Sequence, residues 1–296
     1  MYGRPAKKEI SSYDESLEKT YWNTQSKKWT SKIPPIRPSP NDLESYEAFL
    51  TKIKKPTHVL LLGTTVELRR LVRKIFPDSE VLLWDFSPAM LKASGHQENY
   101  SLKEKVFLKN WLDHNSPGIT FDLILGDRVF EQLTQDIEER FVKRLAEFLE
   151  TGGAFITRCR FADDSQRNTS MAEIILRSET ELKDLPYKEA ATALFLRLHN
   201  AAGYLENRTV HFQNIIQDFS KFLEENEAHR SSPILLQTYR KLVRSKRLFP
   251  FKWAYTAPTK DQFMKIISTD FFLEEERRSG DYIDSHLYPT ILMKKH

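Results

Sequence analysis

From Pro56 onward the chain repeats one pattern, a short apolar run followed by an amphipathic stretch, and this alternation constrains the fold more than any other feature. The run HVLLL (58–62) leads into VELRRLVRKIF, which places Leu68, Leu71, Val72 and Ile75 at helical spacing. EVLLW (80–84) precedes SPAMLKAS, where Ser87 can cap a helix and Pro88 suits its first turn. KVFLK (105–109) and FDLIL (121–125) are two further buried-strand candidates. DIEERFVKRLAEFLETGG predicts a helix opened by Asp136 and closed at Gly152 and Gly153, before a fifth strand at AFITR (154–158). Continuous apolar strands separated by helices predict a parallel sheet covered on both faces.

After Arg160 the pattern changes to long helical stretches with little strand character, through about residue 260. Strand signals return at FFLEEERR (271–278) and YPTILMKK (288–295), and the two could form an antiparallel pair, since the short turn-rich link between them cannot hold a crossover helix. The expected organisation is an amino-terminal segment and core over 1–160, an inserted helical cap over 161–262, and a terminal strand pair completing the sheet over 263–296. A length of 296 residues with 40% hydrophobic content can fill a sizeable core. Lys and Arg number 45 against 41 Asp and Glu, so a net charge of +4 does not by itself indicate nucleic acid. One cysteine, Cys159, excludes an intrachain disulfide and a cysteine-built metal cluster, which suits a reducing compartment. The amino terminus lacks the apolar core of a secretory signal and no apolar run approaches roughly 18 residues. The expectation is a cytoplasmic protein with no membrane segment.

In an open parallel α/β sheet ligands bind beyond the carboxyl ends of the strands, and the first strand-to-helix turn lies there. Gly63 occupies that turn, but the loop reads GTTVEL rather than G-x-G-x-x-G. Without a second glycine the backbone lacks clearance for a pyrophosphate, so a ligand without one is the better reading and a nicotinamide oxidoreductase the poorer. Asp85 closes the second strand about 22 positions after Gly63, where a carboxylate can accept from both hydroxyls of a ribose. The plainer alternatives are a turn glycine and a helix-entry aspartate.

HVLLLGTTVEL, VLLWDFSPAML, FLKNWLD and FDLILGDRVFEQL, in that order, resemble the class I S-adenosylmethionine-dependent methyltransferases. They look most like a subgroup whose first motif is a Gly-Val-Thr-Pro-Glu-Leu variant, with Gly63, Thr65 and Glu67 at the three glycine positions of the commoner form. The segment KTYWNTQSKKWTSKIPPIRPSPNDLESYE resembles that group's amino-terminal lead-in. The likeness covers roughly residues 18–160. It implies a Rossmann-like, mostly parallel seven-stranded sheet with an antiparallel last strand, and S-adenosyl-L-methionine as cofactor, leaving S-adenosyl-L-homocysteine as product. It further implies that Gly63, Thr64, Thr65 and Glu67 form the turn under the methionine part of the cofactor. Asp85 would hold the ribose, and Phe86, Ser87 and Met90 would border the adenine pocket. Asn110 stands where the family often has Asp to meet the adenine amino group, with Trp111 beside it; an amide still accepts through its carbonyl oxygen. Gly126 and Asp127 fall at the position that often faces the transferred methyl.

Methyl transfer from a sulfonium is an in-line displacement that demands alignment and exclusion of water rather than a metal. Asp127 and His199 are the candidates for proton transfer, with His211 also in the cap. Asp127 could instead cap a short helix, and His199 or His211 could be structural. Tyr21, Trp22, Trp29 and Arg37 suit a lid, the rings facing the sulfonium and Arg37 holding the cofactor carboxylate; ordinary packing of an amphipathic helix is the alternative. Residues 229–253 hold Arg230, Arg240, Lys241, Arg244, Lys246, Arg247 and Lys252 without an acidic residue. They form either a solvated helix face or a surface for an anionic substrate. The favoured acceptor is a small or medium organic molecule between sheet and cap. A non-catalytic cofactor-binding protein with a partner-recognition cap and a nucleic-acid methyltransferase are the alternatives.

Overall fold

The computed structural model describes residues 15–95, 104–112, 118–133, 135–163, 166, 169–205, 212–248 and 257–296. Five strands, β1 (His58–Leu62), β2 (Glu80–Asp85), β3 (Glu104–Leu108), β4 (Phe121–Asp127) and β5 (Leu149–Arg158), run parallel in the order β3-β2-β1-β4-β5. β7 (Thr290–Lys295) lies antiparallel beside β5, and β6 (Phe271–Arg277) lies antiparallel beside β7 at the edge. The result is the expected Rossmann-like, mostly parallel seven-stranded sheet with an antiparallel last strand.

The period of two in the apolar strands explains why helices cover both faces. Val59 and Leu61 share one face with Val81, Leu83, Leu123, Leu125 and Ile156, buried under α2 (Pro40–Leu50) and the Leu68, Leu71 and Val72 face of α3 (Val66–Ile75). Leu60 and Leu62 share the other with Trp84, Ile124 and Phe155, beneath α5 (Gln135–Phe148) and α10 (Lys260–Ile267). Phe263 of α10 packs edge-on against Phe130 and Phe161, so this helix is part of the core although it straddles residues 262 and 263. The helix expected to run on to Gly152 and Gly153 stops at Phe148 instead. Gly152, at φ +73°, lies in a strand irregularity where pairing jumps between Phe121 and Leu123, and the stretch from Leu149 joins the sheet.

Four further helices pack chiefly on one another. α6 (Met171–Glu181), α7 (Tyr187–Leu205), α8 (Phe212–Glu225) and α9 (Pro233–Leu248) enclose their own cluster around Leu194, Leu198, Ile215, Phe219, Leu235 and Leu242. Two polar clasps join this cap to the core. Arg197 of α7 grips Asp284 with Nε and Nη2 at 2.8 and 2.9 Å, and Arg160, beyond β5, donates to the Leu196 carbonyl at 3.0 Å and to Asn200. No helix among the described residues is long and apolar enough to cross a membrane.

The strand ends are tied by one buried guanidinium. Arg158 is fully enclosed and binds Asp127 at both oxygens (2.9 and 3.0 Å), Asp42 at 2.6 Å, Tyr282 Oη at 3.1 Å and the Pro35 carbonyl at 2.8 Å. Its backbone N–H donates to Tyr46 Oη at 2.7 Å, and that hydroxyl donates to the Gly126 carbonyl, also at 2.7 Å. Removing one member of such a cluster leaves buried charge uncompensated, so Arg158→Met should cost about 3–5 kcal/mol in denaturant unfolding. Lys55→Met, which breaks the exposed Lys55–Asp78 pair, should cost no more than about 1 kcal/mol. Equal losses in the two variants would contradict this assignment.

Candidate functional site

The strand order reverses at β1, between β2 and β4, and a cavity of about 500 Å³ opens beyond the carboxyl ends of these strands. Gly63 leaves β1 at φ +80°, a conformation that favours glycine, and donates its N–H to the Trp84 carbonyl at 2.8 Å. The same carbonyl accepts from Trp111 Nε1 at 2.8 Å, which lays the indole beside the turn, and a Cβ on Gly63 would sit 3.6 Å from that ring. Thr64 and Thr65 are buried in the cavity wall, with Thr65 at the amino-terminal end of α3.

Asp85 ends β2 with only 7% of its surface exposed, and it lines the cavity. Its carboxylate accepts from the Ser87 N–H at 2.7 Å and makes a long 3.4 Å contact with Thr64 Oγ1. Those contacts do not offset burial, which pushes its pKa from 3.8 up to about 6. Phe86, Met90, Asn110 and Trp111 stand around it in the same cavity. The Asn110 side-chain carbonyl oxygen accepts from the Leu112 N–H at 3.0 Å. Ser87 does not line the space. It caps α4 (Pro88–Ala93) through Met90 N–H at 3.2 Å and reaches Asn23 of α1 (Glu15–Ser26) at 3.0 Å, fastening α1 over the β2 turn.

The amino-terminal aromatics divide. Tyr21, Trp22 and Trp29 line the cavity, with Trp22 edge-on to both neighbours, and no acceptor among the described residues reaches the buried Trp29 Nε1. Arg37 does not line it. Its guanidinium is held by Glu67, with Nε–Oε1 at 2.8 Å, and by the Thr30 carbonyl at 3.2 Å, so Arg37 and Glu67 brace the segment before α2 against the first turn of α3. Gly126 is also outside the cavity lining; a Cβ there would meet Val129 Cγ1 at 2.5 Å, which makes it a packing requirement.

Asp127 and His199 both reach the cavity. Arg158 occupies both oxygens of Asp127, and Asp127 does not cap the following 3-10 turn, which begins after Val129. Burial, with Arg160 nearby, holds His199 well below the usual histidine range, so its ring is neutral between Phe195 and Phe212. His211 and Lys252 lie outside the described residues.

The sequence reading left Arg158, Asp42 and Tyr46 unassigned, and it did not connect Lys28, Lys32 and Lys188 with the site. All three lysines line the cavity, together with Lys241 and Arg244 from the basic helix. The only prior signal was Arg158 itself, a cation closing an otherwise apolar strand. Among the described residues no group of three or more His, Cys, Asp or Glu side chains is arranged to hold a metal ion.

No family model matches the sequence, and no curated protein matches it. Solved structures do match in shape. The N-methyltransferase NodS from Bradyrhizobium japonicum, in complex with S-adenosyl-L-homocysteine, is 10% identical at a TM-score of 0.50, over 94% of this chain and 98% of that one. A Nostoc punctiforme protein whose name proposes an O-methyltransferase is 11% identical at 0.51, over 93% of this chain and 60% of that one. A Rhodobacter sphaeroides protein whose name proposes a zinc-dependent alcohol dehydrogenase is 15% identical at 0.54, over 96% and 100%. At these identities the likeness is one of fold.

The elevated pKa of Asp85 carries a stability consequence. Its burial costs nothing below pH 3.8, where both folded and unfolded chains hold the proton, and reaches about 3 kcal/mol above pH 6, where the folded chain must ionise it. Asp85→Asn should therefore raise the melting temperature of the ligand-free protein near neutral pH and leave it unchanged near pH 4. Thermal unfolding of both proteins across that range checks this, and a gain independent of pH would refute it.

Proposed function

We propose that the chain is a methyltransferase that binds S-adenosylmethionine along the carboxyl edge of the sheet and methylates a small or medium organic acceptor under the helical cap. The observation that carries this reading is the desolvated Asp85 carboxylate, set at the end of β2 in one cavity with the Gly63 turn, Phe86, Met90 and Trp111. The residues fit the cofactor chemically. Asp85 retains lone pairs for the two ribose hydroxyls, Phe86 and Met90 offer apolar walls for a purine, and Trp29 holds an indole N–H in need of an acceptor. NodS, which shares the fold, is described with the demethylated form of that cofactor.

S-adenosylmethionine, when bound, supplies a methyl group on a sulfonium. The chain's part is to hold, align and dry the reactants. Tyr21, Trp22 and Trp29 cover the cavity from the amino-terminal side and Phe195 and Leu196 of α7 from the cap side, and together they displace water. With Asp127 held by Arg158 and His199 kept neutral and weakly basic, the site favours an acceptor whose nucleophilic atom needs no deprotonation before it attacks the methyl group. A cavity of about 500 Å³ is the size of a small-molecule site, which favours such an acceptor over a nucleic acid.

The alcohol dehydrogenase name borne by one structural neighbour raises a dinucleotide reading. Thr65 opposes it: its side chain is buried in the wall where a dinucleotide loop needs a bare glycine beside the pyrophosphate. A cofactor-binding protein without turnover is separated by a methyl-release assay on acceptor panels alongside calorimetry. Binding without methyl release on any acceptor would support it.

Calorimetry with S-adenosylhomocysteine tests the cofactor site directly. Asp85→Ala removes two charge-assisted hydrogen bonds and should weaken binding by roughly a hundredfold. In the wild type the ribose hydroxyls need the ionised carboxylate, so affinity should be flat above about pH 7 and fall as the pH drops below about 6. Unchanged affinity in Asp85→Ala, or affinity that rises in acid, would remove Asp85 from the site.

A further inference from the structure

We infer that the cap-side end of the same cavity is an anion-binding subsite that receives a phosphate or clustered carboxylates carried by the acceptor. The inference deepens the methyl-transfer reading and rests on it for the other end of the cavity. Five cations converge here from three separate segments: Lys28 and Lys32 beyond α1, Lys188 in the first turn of α7, and Lys241 and Arg244 on α9. Gln237, Lys241, Arg244 and Ser245 all line the cavity and recur at helical spacing, while Leu235, Thr238 and Leu242 are buried among the cap helices. The basic helix thus turns Lys241 and Arg244 into the cavity, whereas Arg230 is spent on Glu227 and on the Leu223 and Glu224 carbonyls.

What marks this group is the lack of compensation. Elsewhere the chain gives its enclosed arginines a carboxylate: Arg69 has Glu104, Arg128 has Glu131, Arg158 has Asp127 and Asp42, and Arg197 has Glu181 and Asp284. Among the described residues none of the five cavity cations has a carboxylate partner. Lys188 donates to the Ser31 carbonyl at 3.0 Å and Lys241 to the Thr192 hydroxyl, neither of which neutralises a charge. Of the two carboxylates lining the cavity, Asp127 is committed to Arg158 and Asp85 stands at the β2 turn. Half-buried Lys241 and Lys32 therefore face other ammonium groups. Burial, followed by Lys32 and Lys188, lowers Lys241 to about 8; burial, followed by Lys28 and Lys188, lowers Lys32. Exposed Lys28, Lys188 and Arg244 at the mouth add a field that draws anions inward. A bound anion would relieve this repulsion and gain several charge-assisted hydrogen bonds at once.

The test titrates inorganic pyrophosphate and, separately, citrate into the protein, with and without saturating S-adenosylhomocysteine, by calorimetry. At least one anion should bind with a dissociation constant of about 1 mM or below, and preference between them distinguishes phosphate from carboxylate chemistry. Lys188→Met combined with Lys241→Met should weaken that binding by at least about tenfold and leave S-adenosylhomocysteine affinity unchanged. In protein reductively methylated with carbon-13, the Lys241 resonance should titrate at higher pH once the anion is bound. Arg244→Met, at the exposed rim, provides the same comparison if the double variant does not fold. Absence of saturable anion binding while S-adenosylhomocysteine binds, or binding indifferent to these substitutions, overturns the subsite. Failure of S-adenosylhomocysteine to bind, with anion binding intact, overturns the cofactor reading alone.

Discussion

The architecture depends on how one cation, Arg158, is compensated at the end of β5. A guanidinium out of water is tolerated only where its donors all find acceptors, and here they reach Asp127 on β4, Asp42 on α2, Tyr282 in the β6–β7 connection and the Pro35 carbonyl. These partners come from three distant parts of the chain, the Pro35–Asp42 segment, Asp127 and Tyr282. None can shift without stranding a charge, and desolvation holds the Asp42 pKa up even beside Arg158. Pro35 also accepts from Arg128 at 2.9 Å, so the segment that crosses from α1 toward α2 is held against the strand ends from two sides. The cavity wall that includes Trp29, Lys32 and Ile33 is positioned by this anchorage.

Much of the core was legible because it obeys a local rule. Strands with a period of two and helices with a period near 3.6 bury predictable faces, and each of the seven strands overlaps a stretch with a strand signal, β5 beginning five residues before the expected Ala154. The α5–β5 boundary departs from the expected one because a positive-φ glycine serves a helix end and a strand irregularity equally well. Only the pairing of Leu149 with Phe121 decides between them. Of the site residues, Gly63, Thr64, Thr65, Asp85, Phe86, Met90, Asn110, Trp111, Asp127 and His199 converge on one cavity, together with Tyr21 and Trp29. Arg37 and Glu67 do not, because they satisfy each other across 30 positions, a pairing that no spacing rule reveals.

The cap shows the limit more clearly. The run of cations in residues 229–253 looks alike in sequence whether it faces solvent or a cavity, since both leave an apolar stripe on the opposite side of the helix. The orientation is set by α7. Its Leu194 and Leu198 share a cluster with Leu235 and Leu242 of α9, and Thr238 lies within 3.4 Å of the Ala191 carbonyl. That packing leaves Lys241 beside Thr192 and inside the cavity.

The two ends of the cavity hold opposite charge and do not neutralise each other. Burial and local hydrogen bonds account for the state of Asp85, and no lysine contributes to it; burial and other lysines account for Lys241, and no carboxylate contributes. Neither charge therefore has an opposite charge as its counterpart at the other end. An ion pair between them would satisfy both charges within the chain. Kept apart, each charge stays available to a ligand, as the proposed ribose contact at the β2 turn and the proposed anion subsite under α9 both require. A molecule serving only one end would leave the charge at the other without a counterion, which is the electrostatic ground for two ligands sharing this space.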